Sequence, residues 1–145
     1  MNLNRQTFRK TERLCSNRVI AELFETGKQF FTPYFRVLWD IDAGAKKSPA
    51  QIVVSIPKRE IRKAVKRNLI RRRIREAYRK NKNQLYEYLD NMGIGINIVL
   101  VFRKNDVPDY QETELAVKDF LVRILAALKE KDKSVKIVLI ISFST

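Results

Sequence analysis

Histidine is absent from this sequence, and Cys15 is its only cysteine. Without an imidazole, the chain has no histidine to act as a general base or to activate a cysteine or serine nucleophile. A single cysteine cannot form an intramolecular disulfide, which fits a reducing compartment. These absences exclude the usual histidine-dependent hydrolases and the disulfide-stabilised secreted proteins.

Long apolar runs are also missing. The most membrane-like stretch, VKIVLIISF at 135–143, is far shorter than the ~20 residues of a spanning helix. The first residues, MNLNRQTFRKTERL, lack the apolar run of a signal peptide. Four glycines and four prolines are too few for a collagen-like or low-complexity chain. We therefore expect one compact cytoplasmic domain.

Positive charge is abundant and concentrated. The chain has 30 Lys and Arg against 16 Asp and Glu, a net charge of +14. Of these, 13 basic and 2 acidic residues lie between Lys58 and Lys82, so this segment carries +11 and the remainder +3. Such a concentration predicts a polyanionic partner, either a nucleic acid or an anionic membrane surface.

Local patterns in the first half predict one helix and two strands. Ser16 as N-cap, apolar residues at helical spacing and Gly27 predict a helix over 17–26. Alternation in 34–41 predicts a strand with Phe35 and its odd-numbered successors on one face and the even-numbered residues on the other. A β-branched run at 51–56 predicts a second strand, paired with the first in a hairpin.

The second half predicts a helix, a strand and a helix. The basic segment 58–82 contains no Gly or Pro and favours a helix. The near-continuous apolar run at 93–102 is typical of a central strand buried on both faces. Apolar residues at helical spacing over 117–128 predict the last helix. The expected order is α-β-β-α-β-α, with part of the sheet parallel because the last two strands flank a helix.

On a helical wheel the basic segment has two different faces. Four apolar residues fall within an arc of about 100°: Ile70, Ile74, Ala77 and Tyr78. A different face carries Asn68, Arg71, Arg72, Arg75 and Arg79, with Arg67 and Arg73 at its margins. Guanidinium groups repeating about every 5.4 Å suit phosphate oxygens. Only Glu60 and Glu76 offset this charge, so an RNA or DNA backbone is favoured over a merely solvated face.

The same segment carries a recognisable motif. In KRNLIRRRIREAYR, Arg67-Asn68, Arg71-Arg72 and Arg75 follow one another with two residues between them, which resembles the signature of the bacterial ribonuclease P protein family. IVVSIPKREIRKAV and IAELFETGKQFFTPYFRVLW are similar to that family's strand with basic lead-in and to its first helix, glycine and following strand. The resemblance covers about residues 8–130. It implies an α/β fold, an α+β sandwich of ribosomal-protein-like type, whose basic helix makes a left-handed βαβ crossover between parallel strands.

The resemblance also implies a function. The protein would be the subunit of a ribonucleoprotein endonuclease that hydrolytically removes the 5′ leader from precursor tRNA. The RNA subunit would carry out the chemistry with Mg²⁺, and no catalytic residue or metal site is expected in the protein. The implied partners are ribonuclease P RNA and precursor tRNA, with one protein per catalytic RNA and neither DNA nor a membrane.

Two sets of site residues follow from the resemblance. The motif residues expected to contact the catalytic RNA are Arg67, Asn68, Arg71, Arg72 and Arg75, with added charge from Lys58, Arg59, Arg62, Lys63 and Lys66. The residues expected to line a cleft for the single-stranded leader are Ile20, Phe24, Tyr34, Arg36 and Leu38. Some relatives have aromatic residues at the positions of Ile20 and Leu38, so weaker base stacking is expected here.

The resemblance also divides the chain. Residues 1–133 are expected to form the ribonuclease P protein domain. Residues 134–145 lie beyond the family's usual end and are expected to be an apolar extension of unknown role, either an added strand or an exposed tail.

Other functions compete with this interpretation. A non-catalytic RNA-binding protein of ribosomal or RNA-chaperone type, or a duplex-DNA binder, would have the same charge and size. A nuclease with its own metal would need a dense carboxylate cluster, whereas Asp40 with Asp42, and Asp106 with Asp109, lie near turns where Asp is common. Membrane-surface binding is disfavoured because the apolar arc of the basic helix lacks Trp and Phe and is needed for the core.

Overall fold

The computed structural model describes residues 7–42, 44 and 48–144. Its elements, in chain order, are a 3₁₀ turn (Lys10–Glu12), α1 (Asn17–Thr26), β1 (Lys28–Phe31), β2 (Phe35–Asp42), β3 (Ala50–Ser55), α2 (Ala64–Asn81), α3 (Asn83–Met92), β4 (Gly95–Phe102) and α4 (Tyr110–Ser144). The four strands form one sheet in the order β1-β2-β4-β3. β2 is antiparallel to β1 and β4, whereas β3 is parallel to β4. The mixed α+β class and the partly parallel sheet are confirmed.

The predicted hairpin between 34–41 and 51–56 is wrong. β4 lies between β2 and β3, and the hairpin partner of β2 is instead β1, which was not predicted. β4 takes the central position because almost every one of its residues is buried, so it is covered on both faces and paired on both edges. β1 was not predicted because KQFF is a short edge strand whose residues are largely exposed, so it shows no alternation of apolar and polar residues.

The basic segment is helical over a shorter range than expected. Residues 58–60 form a turn and 61–63 are irregular. The carbonyl of Pro57 accepts hydrogen bonds from the amides of Glu60 and Ile61 at 3.1 and 3.2 Å. A second helix, α3, follows α2 after Lys82 and was also not predicted. It ends at Gly93, whose φ of 66° favours glycine. The β3-α2-α3-β4 connection is therefore the expected crossover between parallel strands, and its left-handed sense stays a prediction.

The main core lies between one face of the sheet and the helices α2 and α4. The four apolar residues predicted on the inner face of α2 are each no more than 1% exposed: Ile70, Ile74, Ala77 and Tyr78. They share a cluster with Phe35, Val37 and Trp39 of β2, and with Val117, Phe120, Leu121, Ile124 and Leu128 of α4. The predicted apolar faces of β2, α2 and α4 are thus confirmed.

A smaller core lies on the opposite face of the sheet, under α1. Leu23 of α1 packs there against Leu38 and Val99. The hydroxyl of Ser16 accepts a hydrogen bond from the amide of Val19 at 3.3 Å, which confirms the predicted N-cap. At Gly27 an added Cβ would lie 2.5 Å from the carbonyl oxygen of Leu23, so this close approach requires glycine.

The C-terminal segment continues α4 through Ser144, so the expectation of an added strand over 134–145 is wrong for the described part, and Thr145 lies outside the described residues. A helix satisfies its own backbone hydrogen bonds, whereas a strand would need a free sheet edge. The helix leaves Leu139, Ile140 and Ile141 exposed, in line with the alternative of an exposed apolar tail. Among the described residues, no helix is both long and apolar enough to cross a membrane.

Candidate nucleic-acid interface

The outer side of α2 presents the predicted arginines at the surface. We define the arginine face as Asn68, Arg71, Arg72 and Arg75, of which all but the half-buried Arg71 are exposed. Together with Phe8, Glu76 and Arg79 these residues line an open groove of about 410 Å³, the arginine groove. Because the opposite side of α2 is locked in the core, the arginine face has a fixed orientation.

The acids near this face are paired with other cations. Glu76 accepts hydrogen bonds from Arg79 at 2.6 and 3.1 Å, and its carboxylate lies 3.8 Å from Lys80. The hydrogen bond from Arg79 is the main reason that the pKa of Glu76 is lowered. Within the described part of the chain, no carboxylate forms an ion pair with Arg71, Arg72 or Arg75. The positive charge of these three arginines is therefore not neutralised by a described carboxylate.

Arg67 has a different environment from the other motif residues. It is half-buried, and its Nη1 donates to the carbonyl oxygens of Ile61 at 3.0 Å and Arg62 at 2.7 Å. The Arg67 side chain thus ties the start of α2 to the turn that precedes it. We call residues 58–63 the basic turn. The structure gives Arg67 a bracing contact within the protein rather than a freely exposed guanidinium.

The basic turn carries the remaining predicted cations. Lys58, Arg59, Arg62 and Lys63 are exposed there, and Lys66 is exposed on the first turn of α2. All of these except Lys58 border a second open groove, of about 680 Å³, whose other wall includes Asn105 and Asp106. Four of these five predicted cations are therefore brought together, and all but Lys66 precede α2 rather than lying on one continuous helix.

The N-terminal segment 7–13 extends the basic surface, and this was not predicted. Arg13 forms a parallel bridge to Ile52 at the edge of β3. Arg75 is exposed overall, but partial desolvation lowers its pKa, and the charges of Arg13 and Arg71 lower it further. Arginine stays protonated in proteins, so Arg75 keeps its positive charge despite this shift. The sequence carried no local signal of this proximity, because it depends on a contact between distant segments.

A buried ion pair fixes this segment. The ammonium of Lys82, between α2 and α3, contacts the carboxylate of Glu12 and the carbonyl oxygen of Thr7. Glu12 also accepts hydrogen bonds from the hydroxyl of Tyr86 at 2.7 Å and from the amide of Arg9 at 2.6 Å. Each charge is thus paired and hydrogen-bonded, as a buried ion requires. The N-terminal segment is held against the end of the basic helix.

The other predicted surface lies beside α1, on the opposite face of the sheet. Phe24 is 44% exposed, and the guanidinium of Arg36 lies 5.4 Å from the centre of its ring. Leu38 is buried beneath α1 and Ile20 is half-buried beside it. The structure brings these four predicted residues together, with Leu38 as part of the floor rather than as an exposed contact.

Tyr34 does not join them. Its hydroxyl donates to Glu112 of α4 at 3.0 Å, and its ring packs against the main core. This hydrogen bond is the largest cause of the raised pKa of Tyr34. The alternation that placed Tyr34 beside Arg36 applies only within the strand, and β2 begins at Phe35. The placement of Tyr34 in the cleft is therefore wrong.

Phe31 takes a place at this surface that the sequence reasoning did not assign. It is 51% exposed, lies opposite Arg36 in the β1–β2 register, and has the guanidinium of Arg103 at 4.7 Å from its ring centre. Residues directly opposite in an antiparallel pair share one face, so Phe31 and Phe24 flank Arg36. We define the α1 surface as Ile20, Phe24, Phe31, Arg36 and Leu38. It offers two exposed aromatic rings, each next to an arginine.

Comparison with known proteins decides the family. The model of the Ribonuclease P family matches residues 8–125, which include the arginine face and the α1 surface. The chain belongs to the ribonuclease P protein family. A ribonuclease P protein component from Porphyromonas gingivalis is 34% identical over 115 residues, covering 79% of this chain and 84% of the relative. One from Thermotoga maritima is 30% identical over 125 residues, covering 86% and 97%.

Solved structures agree with this assignment. The ribonuclease P protein of Thermotoga maritima matches with a TM-score of 0.60 at 25% identity, over 77% of this chain and 96% of that one. The Staphylococcus aureus ribonuclease P protein matches with a TM-score of 0.58 at 16% identity, over 79% and 94%, which supports the fold. The segment 134–145 lies outside the residues matched by the family model.

Asp40, Asp42 and Asp109 are engaged in hydrogen bonds within the protein. Asp40 accepts hydrogen bonds from Lys28 at 2.9 Å and from the amide of Ile41 at 2.8 Å, and Asp42 accepts one from Asn97 at 3.0 Å. Asp109 accepts one from the amide of Glu112 at 2.8 Å and so caps α4. Within residues 7–42, 44 and 48–144, no three acidic or cysteine side chains are grouped to hold an ion. These contacts give the aspartates structural roles.

Proposed function

We propose that this chain works as the protein component of ribonuclease P by dividing RNA binding between two surfaces. The arginine face would bind the ribonuclease P RNA, and the α1 surface would bind the 5′ leader of precursor tRNA. The RNA subunit would carry out the hydrolysis with Mg²⁺, because the carboxylates described here are engaged within the protein. The observation that carries the proposal is the arginine face, held rigidly over the core within the family match.

Binding to the catalytic RNA follows from the spacing and the charge of the arginine face. Arg71 and Arg75 are four residues apart on one face of α2, and Arg72 extends the row. Each guanidinium presents a planar fork of donors that matches two phosphate oxygens. Each neutralised phosphate releases counterions, so the association should weaken steeply as salt rises. The exposed cations of the basic turn would add charge at one end of this face.

Leader binding follows from the aromatic rings of the α1 surface. An unpaired base can stack on Phe24 or Phe31 whatever its identity, which suits leaders of many sequences. Arg36 and Arg103 lie against these rings and could each reach a phosphate. Ile20 and Leu38 supply apolar support without a ring, so fewer bases would stack than on a fully aromatic surface.

The proposal extends to the setting of the complex. We expect one protein per catalytic RNA, in the cytoplasm, with Mg²⁺ required by the complete ribonucleoprotein. A ribosomal or RNA-chaperone role would use the same charge, so binding to RNA alone does not separate these functions. Cleavage does.

The experiment is cleavage of a precursor tRNA at low Mg²⁺ by the ribonuclease P RNA of the same organism, with and without this protein. The proposal predicts that the protein restores accurate removal of the 5′ leader. RNA binding with unchanged cleavage would contradict it and favour a ribosomal or chaperone role. Cleavage by the protein without any RNA subunit would contradict the assignment of the chemistry to RNA.

A further inference from the structure

One aromatic side chain lies within the arginine groove. Phe8 lines it together with Arg71, Arg72 and Arg75. Its ring meets that of Tyr78 nearly at right angles, with centroids 5.9 Å apart and an interplanar angle of 81°. Such an edge contact covers at most one face of the Phe8 ring. The half-buried ring is therefore supported from the core side and borders the groove on the other.

Phe8 is held in place although it lies in irregular backbone near the chain terminus. Its neighbours on both sides are anchored: the carbonyl oxygen of Thr7 accepts from Lys82, and the amide of Arg9 donates to Glu12 at 2.6 Å. Glu12 and Lys82 are themselves buried and paired. Terminal segments are poorly ordered unless tied down, and here the ties lie directly beside the aromatic residue.

Phe8 lies in a groove rich in positive charge. Arg71, Arg72 and Arg75 line the groove around it. Asn68 accepts a hydrogen bond from Arg71 at 3.1 Å, which orients that guanidinium. Glu76 also borders the groove, but Arg79 and Lys80 hold its carboxylate. Arg71, Arg72 and Arg75 form no ion pair with a carboxylate of residues 7–42, 44 and 48–144, so an aromatic ring lies beside positive charge, and these two features together bind single-stranded nucleic acid.

We propose that the arginine groove binds one unpaired nucleotide of the ribonuclease P RNA, with its base stacked on Phe8 and its flanking phosphates on Arg71 and Arg75. The nucleotide must be unpaired, because the bases of an A-form helix are stacked on each other and present no free face to a side chain. This inference rests on the proposed function and adds a stacking contact to the charge contacts of α2. Glu12 and Lys82 act in it as positioning residues.

The test compares Phe8→Leu with Phe8→Trp in binding to a ribonuclease P RNA transcript over a range of salt concentrations. Phe8→Leu keeps an apolar contact with Tyr78 but removes the aromatic face. It should weaken binding roughly 5- to 150-fold, the value of one stacked base, and leave the salt slope unchanged because no charge is lost. Phe8→Trp should retain the affinity. Phe30→Leu, the same change at a partly buried phenylalanine of β1 that packs on the main core outside both surfaces, should leave this affinity unchanged.

The outcomes separate stacking from a structural role. Equal losses for Phe8→Leu and Phe8→Trp would show that the side chain only packs the N-terminal segment, and wild-type affinity in a folded Phe8→Leu protein would show that no base stacks there. Thermal unfolding of each variant checks folding. A benzophenone amino acid at position 8 should crosslink to one unpaired nucleotide, whereas crosslinks spread over paired helices would overturn the inference. If the wild-type protein neither binds the RNA nor restores cleavage, the proposed function itself has failed.

Discussion

The arginine face of α2 and the α1 surface lie on opposite faces of the same sheet, and they are built from different side chains. The arginine face consists of three arginines and Asn68 on a helix whose other side is fully buried. The α1 surface consists of two exposed phenylalanines beside single arginines over a small apolar core. The first is suited to the phosphate backbone of a large folded RNA, and the second to the bases of a single strand. We therefore expect binding of the catalytic RNA to weaken more steeply with rising salt concentration than binding of the leader.

The largest effect is expected from removing charge on α2. Arg71→Gln with Arg75→Gln should weaken binding to the ribonuclease P RNA by about a hundredfold or more, because two charged hydrogen-bonding groups are lost. The salt slope should fall by roughly 1.4 to 1.8, since each lost phosphate contact contributes about 0.7 to 0.9. Equilibrium binding at several salt concentrations measures both quantities.

The matched control for this variant is Lys129→Gln with Lys133→Gln, which removes two exposed charges from α4. It should change affinity only slightly, through the net charge of the protein. Similar losses for the two double variants would mean that the RNA responds to total charge rather than to the arginine face.

A smaller effect is expected at Arg67, for a different reason. Arg67→Lys keeps the charge, but an ammonium cannot reproduce the guanidinium contacts with the carbonyl oxygens of Ile61 and Arg62. RNA affinity should fall about tenfold with an unchanged salt slope, because the basic turn is no longer braced. Arg18→Lys is the comparison and should leave the affinity unchanged, because Arg18 is an exposed arginine of α1 outside both surfaces. Full affinity for Arg67→Lys would mean that Arg67 acts as a simple phosphate contact.

On the α1 surface, Phe24→Leu should affect the substrate and not the catalytic RNA. Loss of one stacked base should lower the preference for precursor over mature tRNA by roughly fivefold, the low end of the stacking range. Binding of the ribonuclease P RNA should be unchanged. Measuring both affinities for the assembled ribonucleoprotein tests the separation, and a parallel loss of both would refute it.

The smallest effect is expected at Tyr34. Tyr34→Phe removes the hydrogen bond to Glu112 and should lower the free energy of unfolding by about 0.5 to 1.5 kcal/mol. It should leave leader binding unchanged, because the ring packs on the main core rather than on the α1 surface. If Tyr34→Phe instead lost the preference for precursor tRNA with little change in stability, Tyr34 would be shown to contribute to leader binding.

What could be predicted from the sequence was governed by local periodicity. The inner face of α2 and the arginine face follow from 3.6-residue spacing, and the environment of Leu38 follows from strand alternation. Tyr34 was misplaced because that alternation stops where β2 begins. The strand order was misjudged because pairing between segments far apart in the chain leaves no local pattern.

The contribution of the N-terminal segment could not be predicted for the same reason. Glu12 and Lys82 are 70 residues apart in the chain, and neither residue type predicts burial. Their pairing holds the segment that places Phe8 against Tyr78 in the arginine groove. The side chains that complete the arginine groove therefore become visible only in the tertiary structure.

The central claim is that the arginine face binds the ribonuclease P RNA and the α1 surface binds the 5′ leader of precursor tRNA. Its most direct test measures the affinity of the assembled ribonucleoprotein for a precursor tRNA and for the matching mature tRNA, with the wild-type protein and with Phe24→Leu. We predict that the wild-type complex binds the precursor more tightly, and that Phe24→Leu reduces this ratio without weakening assembly with the ribonuclease P RNA. Equal affinities of the wild-type complex for both tRNAs would contradict the account.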